Sequence, residues 1–183
     1  EDKFFLNMKN FLTFAQLGIS FADFNSDGLD DISVPANQDN RIYFFKNNGQ
    51  NFELIDLNIQ YTYDAKQVLW IDYDNDNDKD LFLSSYNGKN KLFENKGFLN
   101  FLDVTSDVGL PDTIAQSFAS SWADINNDGY LDLLQTYRSP DSLVNLSHLF
   151  LSDSAKSFVN VSSSSGIYES NKLPFCATFI DID

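Results

Sequence analysis

The chain has 183 residues, 43% hydrophobic and 15% aromatic, enough apolar surface for a sizeable core or a stack of small ones. Its 27 Asp and Glu against 12 Lys and Arg give a formal net charge of −15, which argues against nucleic acid or an anionic membrane as a partner and for cations as guests. A single cysteine, Cys176, excludes an intrachain disulfide framework, and no stretch has the length of a membrane-spanning helix.

In chain order, Lys3 to Thr13 has the pattern of a third strand, a turn and a fourth strand. The first acidic loop follows in Phe21-Ala-Asp-Phe-Asn-Ser-Asp-Gly-Leu-Asp-Asp31, with apolar runs at Ile32-Ser-Val34, Arg41-Ile-Tyr-Phe-Phe45 and Phe52-Glu-Leu-Ile55 after it. A second copy runs from Trp70-Ile-Asp-Tyr-Asp-Asn-Asp-Asn-Asp-Lys-Asp80 through Leu81-Phe-Leu83, Lys91-Leu-Phe-Glu94 and Phe101-Leu-Asp-Val104. A third starts at Trp122-Ala-Asp-Ile-Asn-Asn-Asp-Gly-Tyr-Leu-Asp132, with Leu133-Leu134 and His148-Leu-Phe-Leu151 behind it, and a fourth opens at Phe179-Ile-Asp-Ile-Asp183.

The repeat length is roughly fifty residues, and each repeat carries four short runs rich in Phe, Ile, Tyr, Val and Leu, separated by Asn, Asp, Gly and Ser. That is the pattern of an all-β chain of β-propeller blades, four antiparallel strands each, in which neighbouring blades bury each other's apolar faces. The expected division is residues 1–15 as the end of a preceding blade, 16–63, 64–113 and 114–172 as blades, and 173–183 as the first strand of another. About three and a half blades fall short of the four to eight that close a ring, so other blades of the same or a partner chain are expected beside them. The aromatics two residues before each first aspartate, Phe21, Trp70, Trp122 and Phe179, are expected in the core.

Twelve acidic residues, all Asp, crowd into the three complete loops. Numbered from its first aspartate, each loop is Asp-x-Asn/Asp-x-Asp-Gly/Asn-x-x-Asp, which offers oxygen at positions 1, 3, 5 and 9 and a backbone carbonyl at position 7. The candidate ligands are Asp23, Asn25, Asp27, Leu29 and Asp31; Asp72, Asp74, Asp76, Asp78 and Asp80; and Asp124, Asn126, Asp128, Tyr130 and Asp132. A hard cation wanting six to eight oxygens fits such a set, and Ca²⁺ fits it better than Mg²⁺, with about three ions per chain expected. Gly28 and Gly129 supply positive φ at the bend, and Asn77 is the next most tolerant residue there. One such stretch alone would be an ordinary polar turn; three at matched spacing favour metal. An EF-hand would need a bidentate Glu at position 12, where this chain has Val34, Leu83 and Gln135. Eight glycines are too few for a glycine-rich calcium β-helix.

The three loops, with the tracts Asn90-Lys-Leu-Phe-Glu-Asn-Lys-Gly97 and Phe101-Leu-Asp-Val-Thr-Ser-Asp-Val-Gly-Leu110, resemble the FG-GAP or VCBS repeats of integrin α-subunit-like propellers over nearly the whole chain. The resemblance implies a calcium loop between the first and second strands of each blade and a ligand surface on the opposite face. Sites with dissociation constants on the order of 10⁻⁴ to 10⁻³ M would fill where calcium is millimolar, which places the protein outside the cell, secreted or at the surface.

Features that do not recur between repeats are the candidates for that ligand surface. Third-blade extra residues surround Tyr137-Arg-Ser-Pro-Asp141, making Tyr137, Arg138 and Asp141 candidates, with Tyr61, Tyr63 and Tyr86 beside them. Asn145-Leu-Ser and Asn160-Val-Ser are glycosylation sequons. His148 is the single histidine and no catalytic constellation stands out, so the expected role is adhesion to or recognition of a protein or glycan. The alternative is a polysaccharide-processing enzyme or its accessory carbohydrate-binding propeller, since an acid pair needs only spatial proximity.

Overall fold

The computed structural model describes residues 18–36, 40–138, 145–167 and 179. The expected half-blade at 1–15 and the opening strand at 173–183 lie outside these, apart from Phe179. The first sheet is β1 (Ser20–Ala22), β2 (Asp31–Ala36), β3 (Arg41–Asn47) and β4 (Phe52–Ile55), antiparallel and in chain order. In the second, β5 (Ala65–Ile71), β6 (Asp80–Ser85), β8 (Lys91–Asn95) and β9 (Phe101–Asp103) repeat that plan. The third contains β10 (Ile114–Ala123), β11 (Asp132–Arg138), β12 (Asn145–Asp153) and β13 (Ser157–Asn160). The fold is all-β, a set of propeller-like blades, and its one described helical turn is α1 (Ser162–Ser165), closed by Gly166 at φ 75°.

Neighbouring sheets pack face on face, as alternating strand residues require. Between the first and second lie Phe24, Phe44, Leu57, Val68, Leu81 and Phe93; between the second and third lie Tyr73, Phe82, Leu92, Leu133, Phe150 and Phe158. Trp70 and Trp122 turn back onto the preceding sheet. Trp70 stacks near Phe24 at 5.0 Å and donates its indole N–H to Ser33 Oγ at 2.9 Å, and Trp122 meets Phe82 at 5.2 Å. The equivalent Phe21 differs from its expected core position: it is 66% exposed, on the face of the first sheet that points away from the second.

Two features tie the second and third sheets beyond apolar packing. A short strand missed by sequence reading, β7 (Gly88–Lys89), leaves the second repeat and pairs with β10, Gly88 opposite Ala115 and Lys89 opposite Ile114. Only glycine fits at 88, because a Cβ there would fall 2.3 Å from Tyr63 Cβ. The first strands of both sheets also bulge, at Lys66 and Phe118, and the displaced backbone groups need side-chain partners. Gln67 Oε1 reaches across to accept Ser120 N–H at 2.7 Å, while within the third sheet Thr136 Oγ1 accepts Ala119 N–H at 3.0 Å and Ser120 Oγ donates to Gln135 Oε1 at 2.8 Å.

The register fixes two opposite faces. The acidic loops join β1 to β2, β5 to β6 and β10 to β11 at one end of the sheets, while the linkers leaving β4, β9 and β13 and the turns after β2 and β6 lie at the other.

Candidate metal centre

The three loops repeat one hydrogen-bond plan. At position 1, Asp23 accepts Asp27 N–H at 3.0 Å and Gly28 N–H at 2.7 Å, and Asp124 accepts Asp128 N–H at 3.1 Å and Gly129 N–H at 2.8 Å. The position 3 side chains, Asn25, Asp74 and Asn126, accept the position 5 N–H at 3.0, 3.4 and 2.9 Å. At position 5, Asp27, Asp76 and Asp128 accept the position 7 N–H of Leu29, Asp78 and Tyr130. In each loop these side-chain oxygens cap backbone N–H groups of the same loop.

Such a loop needs left-handed residues at two places. Position 6 provides one, at φ 87° for Gly28, 73° for Asn77 and 90° for Gly129. Position 4 provides the other, at φ 59° for Ser26, 62° for Asn75 and 59° for Asn127. The second was not anticipated from the sequence, although asparagine in two of the three copies is its signal.

Position 9 does more than offer an oxygen. Asp31, Asp80 and Asp132 are fully buried, and each spans two backbone donors. One carboxylate oxygen accepts the position 2 N–H, of Phe24 at 3.2 Å, Tyr73 at 3.1 Å and Ile125 at 3.1 Å. The other accepts an N–H late in or after the third-strand segment, from Asn47 at 2.7 Å, Asn95 at 2.8 Å and Ser152 at 2.8 Å. The position 9 aspartate thus staples the loop to its own sheet, and Asp31 Oδ2 also accepts Asn25 Nδ2 at 3.0 Å.

The second loop concentrates the charge. Carboxylate oxygens of Asp72, Asp74 and Asp80 lie within 4.8 Å of one another. Asp72 Oδ2 accepts Asn77 N–H at 3.1 Å, whereas Asp72 Oδ1 is buried without a hydrogen-bond partner. Asp76 and Asp78 stand outside that triangle, Asp76 on the exposed rim and Asp78 leaning toward the turn at Gly97. Burial, with neighbouring carboxylates adding to it, pushes Asp80 up to about 7 and Asp74 up to about 6. Asp31 and Asp132 are raised for the same reasons, while Lys46 Nζ sits 3.4 Å from Asp27 in the first loop. Crowded, desolvated, acceptor-only oxygens with one orphaned lone-pair set suit a hard divalent cation. Asp72, Asp74 and Asp80 are the residues that would hold it.

The candidates for the ligand surface are placed differently from one another. Tyr61 is buried, donates its hydroxyl to Lys89 O at 2.9 Å, and keeps only a small exposed surface, at the wall of the crevice described below. Tyr63 is half-buried against Gly88 and meets Tyr61 edge-on at 5.6 Å. Tyr137 is turned between the second and third sheets, its ring 4.9 Å from His148 and its hydroxyl hydrogen-bonded with Asn90, and burial raises its pKa. Tyr86 is half-buried on the face away from the loops, with Lys66 Nζ 5.9 Å above its ring. Arg138 has its backbone in β11; its side chain and Asp141 lie outside the described residues. His148 is half-buried with Nδ1 lacking a partner, and burial lowers its pKa.

A crevice unforeseen from the sequence opens on the face away from the acidic loops. It has a volume of about 650 Å³, between the Asn40–Phe44 segment and residues 54–62, with Ile42, Ile55 and Ile59 beneath and Arg41, Asp56 and Gln60 around it. Its origin is local. In the second repeat the linker coils, with Val108 N–H donating to Val104 O and Leu110 N–H to Thr105 O, which buries Val104, Val108 and Leu110. The third repeat has α1 and Gly166 at the same place. The first has no glycine there and crosses directly, held by Asn58 N–H donating to Asp56 Oδ1 at 2.8 Å, with Asn58 at φ 53°.

The comparisons with known proteins agree with this repeat plan. A model of the FG-GAP-like repeat matches twice, at residues 23–83 and 72–134, each match running from one acidic loop into the next repeat. The chain belongs to the FG-GAP-like repeat family. Within it, the chain is similar to cartilage acidic protein 1 of Xenopus tropicalis, 38% identical over 55 residues. That stretch is 30% of this chain and 8% of the relative. Among the described residues of this FG-GAP-like chain, no helix is long and apolar enough to cross a membrane.

Proposed function

We propose that this FG-GAP-like chain is a calcium-stabilised recognition module of an extracellular protein, which holds a protein or glycan ligand without turning it over. The observation that carries the reading is the orphaned Asp72 Oδ1, buried beside Asp74 and Asp80 in a loop whose plan recurs in two neighbouring repeats. Bound Ca²⁺ would supply the positive charge that this loop lacks, and the chain's own residues do the rest. Position 9 aspartates anchor the loops, and the blades carry that rigidity to the opposite face. A relative named for cartilage supports a location outside the cell, where millimolar calcium would fill even weak sites.

On the opposite face, the 650 Å³ crevice of the first repeat offers a concave surface for a ligand. Its apolar floor and rim of amide, hydroxyl, carboxylate and guanidinium groups match a saccharide or a short peptide. The test is retention of the calcium-loaded chain on immobilised glycans and extracellular proteins, with Gln60→Trp to block the crevice. Retention that falls at least tenfold in EDTA or in Gln60→Trp supports the proposal. Release of new reducing ends from a polysaccharide would overturn it in favour of an enzyme.

A further inference from the structure

The side chain of Asn75 leaves its own loop. Its Nδ2 donates to the carbonyl oxygen of Gly129 at 2.7 Å, so the acidic loop of the second sheet is tied directly to that of the third. Both partners stand where loop geometry is set. Asn75 is the left-handed residue at position 4, between Asp74 and Asp76, and Gly129 is the left-handed residue at position 6. The Gly129 carbonyl also shares a rigid peptide plane with the N–H of Tyr130, which donates to Asp128 Oδ1 at 2.9 Å. One plane is therefore held by Asn75 from the second loop and by a candidate ligand of the third. On the other side, Gly129 N–H donates to Asp124 Oδ2 at 2.8 Å.

We propose that Asn75 is a positioning residue that couples cation binding in the second and third loops, so that these two sites fill as a linked pair while the first fills on its own. The proposal rests on the reading of the loops as calcium sites. An ion that draws in Asp124 and Asp128 fixes the Gly129–Tyr130 plane, which fixes the Asn75 amide and the bend between Asp74 and Asp76. The first loop has Ser26 at position 4, whose hydroxyl ends one bond short of an asparagine amide. A single amide–carbonyl bond supports a coupling factor of about three- to tenfold.

The position 6 amides report the three sites separately, since Gly28, Asn77 and Gly129 N–H each donate to the first aspartate of their own loop. Proton–nitrogen spectra of the EDTA-stripped chain are recorded as calcium is added. Asn77 and Gly129 should shift over one shared, steepened transition, and Gly28 over its own. Asn75→Gly keeps the left-handed backbone and removes the amide; the Gly129 midpoint should rise about three- to tenfold in calcium while that of Gly28 stays. Reciprocity supplies the second variant: Asp124→Ala, which disables the third loop, should weaken the second by the same factor, a response that a merely structural contact would not give. A Gly129 midpoint unmoved by Asn75→Gly, or a second loop indifferent to Asp124→Ala, overturns the coupling and leaves the calcium reading standing. No shift of any of the three amides at several millimolar calcium overturns the calcium reading itself.

Discussion

Asp80→Ala is expected to destabilise the metal-free chain by about 2–5 kcal/mol, while Asp76→Asn stays within about 0.5 kcal/mol of the parent. Both residues are candidate ligands in one loop, so a purely metal-binding role would make them alike. Asp80 is fully buried and accepts the N–H groups of Tyr73 and Asn95, both themselves buried. Alanine leaves two donors without water or partner, each costing about 1–3 kcal/mol. Asp76 is exposed, and its one loop bond, from Asp78 N–H at 2.8 Å, is to an oxygen that asparagine retains. Urea unfolding in EDTA at pH 5.5 measures this difference with Asp80 largely neutral, so that the burial of its charge does not mask the lost bonds. In calcium the gap should widen, because Asp80→Ala also removes one of the three carboxylates that would hold the ion, whereas Asp76 stands outside that triangle.

The metal-free chain is also expected to become more stable on acidification from pH 8 to about pH 5, by about 2–4 kcal/mol. Folding raises Asp80 from 3.8 to about 7 and Asp74 from 3.8 to about 6, through burial first and neighbouring carboxylates second. Between those limits the folded chain binds more protons than the unfolded one, so stability falls as pH rises. The contribution is fully present below about pH 4 and lost by the time pH passes the folded values near 6 and 7. Calcium requires the same carboxylates ionised, so its binding weakens in the same window as pH falls. Melting curves from pH 4.5 to 8 should therefore slope downward with pH in EDTA, and the gain from added calcium should grow toward pH 8. A metal-free melting temperature that rises steadily toward pH 8 would mean that these carboxylates are not desolvated as the fold places them.

The repeated loop was the most legible part of the chain, because its chemistry is local. Oxygen-bearing side chains at alternate positions and a residue tolerant of positive φ at position 6 can be read from nine residues, and Gly28, Asn77 and Gly129 all take that conformation. Strand runs such as Phe52–Ile55 were legible for the same reason, since an alternating apolar run needs no knowledge of its neighbours. What escaped depends on register between distant segments. The bond from Asn47 to Asp31 and the β7–β10 pairing are set by how strands align, which composition does not encode. Tyr61 and Tyr137 look like surface aromatics in loops and linkers, yet stacking of the sheets turns both inward. The crevice beside Ile59 exists because one linker lacks the coil found in the next two, and only the packed fold shows the space left behind.

Calorimetric titration of calcium into EDTA-stripped protein, with melting temperature followed in parallel, tests the calcium-loop account most directly. The account predicts about three ions per chain at pH 7.5 and a clear rise in melting temperature, since a ligand at 100 times its dissociation constant stabilises the folded state by about 2.7 kcal/mol per site. No binding heat and an unchanged melting temperature at millimolar calcium would contradict it, and would leave the three acidic loops as polar turns stapled by Asp31, Asp80 and Asp132.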